Sequence, residues 1–262
     1  MHVLVTGGTG ALGREVVKRL IDTGHRVRVL SRKRAAGDDW VQGDLVTGAG
    51  LELAVKDIDA IVHAASDALN PRKYHATDVL GTRRLLAMAR EARVRHVAYV
   101  SIVGVEGVAY PYYKSKLAAE AVMRENIVPW SILRATQFHT LMEIFLDAMS
   151  KLPRLALVPF EWQFQPVDTT DVAQKLVDIA TSEPSGMLPD YGGPEVREFR
   201  SLATTWLAIR KPGKRLVNLR LPFKFSRQFA SGRLLSPEHR DGTVTFEQYL
   251  GRRYPVQKLT QA

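Results

Sequence analysis

Val3-Leu4-Val5-Thr6-Gly7-Gly8-Thr9-Gly10-Ala11-Leu12-Gly13 decides how the whole chain is read. A short apolar run ends in glycines, and Leu12, Val16, Val17, Leu20 and Ile21 then recur at helical spacing, with Lys18 and Arg19 between them. Gly24 is placed to cap that helix. The pattern predicts strand, tight glycine turn and helix. Glycines at 7, 10 and 13 suit the turn, the approach of a pyrophosphate to backbone and close helix–strand packing. Open N–H groups and the positive dipole end at the helix start attract an anion. The spacing is G-x-x-G-x-x-G, and what raises it above a bare glycine pattern is the strand before it and the helix after it.

Outward from this stretch the chain alternates. His25 to Ser31 reads as a second strand, Val41 to Leu45 as a short third and Ile58 to Ala65 as a buried fourth. Thr77 to Ala92 is a helix with a broad apolar face. His96 to Ser101 is a fifth strand, Tyr112 to Glu125 a helix, and Ile127 to Leu133 a sixth strand. Such alternation implies an α/β fold, a doubly wound parallel sheet covered by helices on both faces. Its ligand crevice lies at the carboxyl ends of the strands. Ser31, Asp44, Ser66 and Ser101 all follow predicted strands and so converge on that edge. His63 sits inside an apolar run and reads as a core histidine. Residues 1–134 are expected to form the dinucleotide-binding core. Residues 135–262 are expected to form mainly a substrate lobe, with some segments returning to the core. In that half, Phe138 to Met149 carries an apolar helix stripe, Asp171 is placed to cap a helix ending near Ala180, and Phe199 to Ile209 is a further helix.

Composition narrows the class. The 262 residues include no cysteine, which excludes thiol and disulfide chemistry, and carry a net charge of +10. No zinc, helix-turn-helix or RNA-reading motif accompanies the charge, so nucleic acid is not the expected partner. No apolar run reaches the length of a membrane span. The first strand begins within two residues of the N-terminus, and a cytoplasmic protein with a small-molecule substrate and no metal is expected.

Two features point to redox chemistry. Where an acid would hold the ribose hydroxyls of NAD, the second strand ends in Ser31-Arg32-Lys33-Arg34. A hydroxyl and cations hold a 2′-phosphate through charge-assisted hydrogen bonds, which favours NADP(H), with Ser31 and Arg32 as the contacts. Tyr110-Pro111-Tyr112-Tyr113-Lys114-Ser115-Lys116 contains two Y-x-x-x-K pairs. Tyr110 precedes proline and is driven out of the helical region, so Tyr112 and Lys116 are the pair that shares a helix face. A neighbouring ammonium is expected to lower the phenol pKa of Tyr112 and fit it for proton transfer. Ser101, eleven residues upstream, is placed to bind the same substrate oxygen.

These motifs resemble the short-chain dehydrogenase/reductase superfamily in its atypical, NmrA-like branch. The matching pieces are Thr6 to Gly13, Gly43-Asp44-Leu45, Val62 to Ala65, Asp78 to Thr82, Tyr99 to Gly104, Tyr112 to Glu120, Leu133 to Phe138 and Val167 to Ala173. They span most of the chain in the family's order. The resemblance implies a Rossmann sheet with a small C-terminal substrate lobe. It places Asp44 at adenine, lines the cofactor with the Ala64–Ser66 backbone, and puts the family's serine, tyrosine and lysine on Ser101, Tyr112 and Lys116. The expected cofactor residues are then Gly7, Thr9, Gly10, Ala11, Leu12, Gly13, Ser31, Arg32, Asp44, Leu45, Ala64, Ala65, Ser66 and Lys116. Gln137, Phe138 and His139, just past the sixth strand, are the substrate candidates. One departure is Asp78, where many relatives carry an asparagine used in a proton relay. The expected activity is NADPH-dependent reduction of a carbonyl or quinone in a small apolar molecule. An NADP-sensing regulator and a nonredox lyase or isomerase are the alternatives on the same scaffold.

Overall fold

The computed structural model describes residues 1–33 and 39–255; Arg34, at the end of the basic run, lies outside them. In chain order the elements are β1 (His2–Thr6), α1 (Ala11–Asp22), β2 (Arg26–Ser31), β3 (Trp40–Gln42), α2 (Leu51–Val55) and β4 (Ala60–His63). A π-helical stretch His75–Leu80 then runs into α3 (Gly81–Glu91). β5 (His96–Ile102), α4 (Pro111–Arg124), β6 (Trp130–Ala135), α5 (His139–Met149), β7 (Leu155–Val158) and β8 (Gln163–Phe164) follow. The remainder is α6 (Thr169–Ala180), β9 (Gly186–Met187), β10 (Arg197–Glu198), α7 (Phe199–Arg210), β11 (Arg215–Asn218), α8 (Lys224–Ala230) and α9 (Phe246–Arg253). No helix among the described residues is long and apolar enough to cross a membrane.

The chain divides into two compact units. Unit 1 is Met1–Ala135 with Thr169–Asp190, and unit 2 is Thr136–Asp168 with Tyr191–Ala262. Unit 1 holds a parallel sheet of order β3-β2-β1-β4-β5-β6-β9. The order reverses between β1 and β4, where a doubly wound sheet opens its ligand crevice. Alternate strand residues point to opposite faces. Leu4, Ile61, Val97, Tyr99 and Ile132 therefore meet α2, α3 and α4 in one core with Leu51, Leu85, Leu86 and Met123. On the other face lie α1, against β1 and β2, and α6, against β4, β5 and β6; the two helices also pack on each other.

Several predicted boundaries move for local reasons. β3 stops at Gln42 because Gly43 passes so close to the next loop that a Cβ there would lie 2.5 Å from the Ala49 carbonyl. β4 starts only at Ala60, after Asp57 has turned through a left-handed φ of 57°. β6 begins after Pro129, leaving Ile127 exposed. α6 begins at Thr169, so Asp171 lies in its first turn rather than at its cap.

Unit 2 has no large sheet. β7 pairs in parallel with β11, and β8 pairs antiparallel with β10. Its core is aromatic: Trp162 stacks on Phe229 at 4.9 Å between centroids, and Phe164 and Phe199 meet edge to face at 5.0 Å. The buried carboxylate of Glu143 on α5 accepts from Trp206 Nε1 at 3.3 Å and Tyr254 at 2.7 Å, and pairs with Arg253 at 3.0 Å. α9 opens with a capping box between Thr245 and Gln248.

Candidate active site

The glycine turn is built as an anion cradle. Gly7 adopts φ +73°, and a Cβ there would fall 2.7 Å from the Ala65 amide nitrogen, so β1 and the chain after β4 approach as only glycine permits. A Cβ on Gly13 would strike the carbonyl oxygen of Gly7, which fixes α1 hard against the turn. Gly10 opens α1 without a side-chain cap. The N–H groups of Ala11, Leu12 and Gly13, which an α-helix leaves without intrahelical partners, are thereby kept for an outside acceptor. Beside this turn a cavity of about 270 Å³ runs past Thr9, Ser31, Arg32, Asp44, Leu45 and Ala64 to Ser66. A shallower cavity of about 320 Å³ adjoins it at Arg32, Gln42, Gly43 and Asp44. The cavity and the uncapped helix start fit an elongated diphosphate ligand.

Of the sequence candidates, Gly7, Thr9, Gly10, Ser31, Arg32, Asp44, Leu45, Ala64, Ala65 and Ser66 line this one trough of unit 1. Ser31 ends β2, and its hydroxyl accepts from Lys33 N at 3.2 Å, shaping the turn that leaves Arg32 exposed. Asp44 Oδ1 accepts from Val46 N at 2.8 Å. Thr77, Asp67 and Val46 also line the trough and escaped the sequence reading. Asp67 and Val46 lie just past the ends of β4 and β3, which could have marked them; Thr77 comes from the π-helical stretch, which has no comparable signal.

The second cluster stands where β4 and β5 end. Tyr110 is extended, with φ −117° and ψ 134°, and Pro111 is the first helical residue, so only Tyr112 and Lys116 stand one turn apart on α4. Lys116 is buried; its ammonium donates to the Val100 carbonyl at 2.7 Å and lies 4.1 Å from the centre of the Tyr99 ring. Burial draws its pKa down to about 8, against the opposing pull of Asp78 and Glu120. Ser101 is buried, and its hydroxyl has no hydrogen-bond partner. The Tyr112 hydroxyl lies 2.9 Å from Ser66 Oγ, which donates at 2.6 Å to Asp78 Oδ1. The expected lowering of the Tyr112 pKa by Lys116 is not what this arrangement produces. Burial first, and then the Asp78 charge, push the phenol upward, and the Ser66 hydrogen bond opposes them only in part.

A bidentate ion pair steadies the loop before α4. Arg134 on β6 holds the fully buried Glu120 at 2.9 and 2.8 Å and reaches Glu106 at 2.9 Å. His63 is a core histidine as expected: Thr6 Oγ1 lies 2.7 Å from Nδ1 and Thr82 Oγ1 2.9 Å from Nε2, and burial lowers its pKa to about 3.

Gln137, Phe138 and His139 stand together at the start of α5 in unit 2, but their side chains are used differently. The Gln137 amide donates to the Leu234 carbonyl at 2.9 Å and accepts from Gln165 N at 3.3 Å. The buried His139 ring stacks on Tyr249 at 5.1 Å, with Nε2 2.9 Å from the Val244 carbonyl. Both knit unit 2 together, and only Phe138 keeps partial exposure. Trp162, Phe164 and Met142 are buried in unit 2. Among the described residues no three His, Asp or Glu side chains cluster as metal ligands.

Residues 7–183 match the family described as NAD(P)H-binding, which is more than half of the chain. The chain is 33% identical over 144 residues to a (4-alkanoyl-5-oxo-2,5-dihydrofuran-3-yl)methyl phosphate reductase of Streptomyces griseus, covering 52% of this chain and 48% of that one. It is 31% identical over 150 residues to the photosystem II assembly factor Ycf39 of Synechocystis, covering 53% and 45%. It therefore spans about half the length of these curated relatives. Among solved structures it superposes on the NADPH complex of the quinone oxidoreductase QOR2 from Escherichia coli with a TM-score of 0.76. That match has 14% identity and covers 96% of this chain and 99% of the other, a likeness of fold. With the glycine cradle, the strand order and the family match in agreement, the chain belongs to the NAD(P)H-binding family.

Proposed function

We propose that the chain is an NADPH-dependent oxidoreductase that reduces a carbonyl or quinone of a small, apolar organic molecule. The observation that supports this reading is that Lys116 donates to Val100, the residue before Ser101 on β5, and stands one turn from Tyr112 on α4, in the unit that also holds the glycine cradle. A bound reduced nicotinamide supplies hydride to such a substrate. Tyr112 holds the proton that the substrate oxygen needs, and its raised pKa keeps it protonated at neutral pH. Ser101, a buried hydroxyl without a partner, is free to donate to that oxygen. Lys116 contributes positive charge beside the developing phenolate and a donor for ribose hydroxyls. The backbone N–H groups at the start of α1 hold the diphosphate. Ser31 and Arg32 favour a 2′-phosphate over bare ribose hydroxyls.

The similarity to a photosystem II assembly factor favours a second reading, a cofactor-binding protein that serves a partner instead of a substrate. Turnover separates the two. NADPH oxidation is expected with at least one member of a panel of quinones, aromatic aldehydes and cyclic ketones. Tight NADPH binding with no turnover across the panel, together with a cofactor-dependent protein complex, would replace the enzyme reading with the second.

A further inference from the structure

We propose that Ser66 and Asp78 form, with Tyr112, a three-member proton path in which Asp78 is the proton reservoir and Ser66 the carrier. The inference rests on the reductase reading for its catalytic meaning, but the path itself stands on geometry within unit 1. Ser66 has one hydroxyl proton, and it points to Asp78 Oδ1 at 2.6 Å. The 2.9 Å contact with Tyr112 must then be filled by the tyrosine donating to Ser66. When Asp78 is protonated the same three atoms support the opposite polarity, Asp78 donating to Ser66 and Ser66 to Tyr112. The Lys116 ammonium spends one of its three N–H donors on the Val100 carbonyl and takes no part in the Ser66–Asp78 contact.

The π-helical stretch delivers Asp78 to this place. It carries the carboxylate into the interior, where the side chain is 1% exposed and Oδ2 has no hydrogen-bond partner. The titratable groups that face it are Lys116 and Tyr112 on α4, Tyr99 on β5, Asp67 in the loop after β4 and Tyr74 just before the π-helical stretch. Burial raises its pKa and Lys116 opposes the rise. A carboxyl so placed takes up a proton more readily than a solvated one, and its anion is met by an ammonium once the proton has gone. Exposed Ser66 links it to water.

The transfer balances. As hydride from the reduced nicotinamide reaches the substrate carbon, the Tyr112 O–H bond breaks and an O–H bond forms on the substrate oxygen. The phenolate takes the Ser66 proton, and Ser66 takes the Asp78 proton. Asp78 is left as carboxylate, to be reprotonated through Ser66 before the next cycle.

The first test needs neither substrate nor cofactor. Tyr112 ionisation is followed by near-ultraviolet phenolate absorbance in the full chain, identified by its loss in Tyr112→Phe. Asp78→Asn is expected to lower its midpoint by about one pH unit or more, because the facing charge is removed. Ser66→Ala is expected to raise it, and Ser66→Thr to restore it. An unmoved midpoint in both Asp78→Asn and Ser66→Ala overturns the path. The second test uses turnover. Asp78→Asn and Ser66→Ala should each lower kcat about a hundred-fold at saturating NADPH, and Ser66→Thr should recover most of it. Asp78→Asn should also abolish the fall of kcat that Asp78 deprotonation causes as pH rises. Wild-type kcat and pH profile in these variants would overturn the relay. If the unsubstituted chain turns over no panel member, the reductase reading fails, and the tyrosine midpoints still decide whether the three groups are coupled.

Discussion

Replacing Lys116 by methionine is expected to stabilise the fold while removing activity. The ammonium is 3% exposed, and burial draws its pKa from 10.5 to about 8. At about 1.4 kcal/mol per pH unit, holding the charge inside at pH 7 costs about 3 kcal/mol. Methionine removes that cost and fills nearly the same volume. It also forfeits the hydrogen bond to Val100 and the contact with the Tyr99 ring, worth about 1–2 kcal/mol together. A net gain of about 1–2 kcal/mol remains. The pH dependence carries the sign. Below about pH 8 lysine is protonated in both folded and unfolded chains, and the full cost is present. Between about pH 8 and 10.5 the folded chain releases the proton that the unfolded chain keeps, so stability rises with pH. Urea denaturation of both proteins from pH 7 to about 9.5, below the range where raised tyrosines contribute, isolates the effect as a difference of slopes. The reasoning fails if Lys116→Met is less stable than the parent at pH 7, or if the two stability profiles run parallel up to pH 9.5.

Arg32→Ala should weaken NADPH binding about ten- to hundred-fold and leave NADH nearly unchanged, as read by calorimetry; equal binding of the two cofactors by the parent would remove the phosphate assignment. Tyr112→Phe should suppress carbonyl reduction with cofactor affinity retained, whereas Tyr110→Phe, on an extended residue before Pro111, should be mild in the same assay. Arg134→Met should cost about 3–5 kcal/mol in denaturant unfolding, because Glu120 is left buried without its bidentate partner. Gly13→Ala should abolish NADPH binding and lower thermal stability, since its methyl would occupy the space of the Gly7 carbonyl; an unchanged protein by both measures would contradict the close packing of α1 on the turn.

The strand–glycine–helix opening, the alternation behind it and the Pro111 argument separating Tyr112 from Tyr110 were legible because each depends on local backbone preference and short-range periodicity. Val3 to Gly13 could be read alone, and so could the core position of His63 in an apolar run. Other features required the folded chain. The return of Thr169–Asp190 to unit 1 depends on which faces α6 and β9 can bury, not on their own composition. Nothing in the sequence around Gln137 and His139 announces the hydrogen bonds they make, because their partners Leu234, Gln165 and Val244 lie elsewhere in the chain. Asp78 is the clearest case. In sequence it is a changed residue in a helix; in the fold a π-helical stretch buries it, Ser66 joins it to Tyr112, and Lys116 balances its charge. Local sequence determines which side chains a turn or helix presents. The direction of a buried residue's pKa depends on desolvation and facing charges contributed by other elements, and those exist only once the chain is folded.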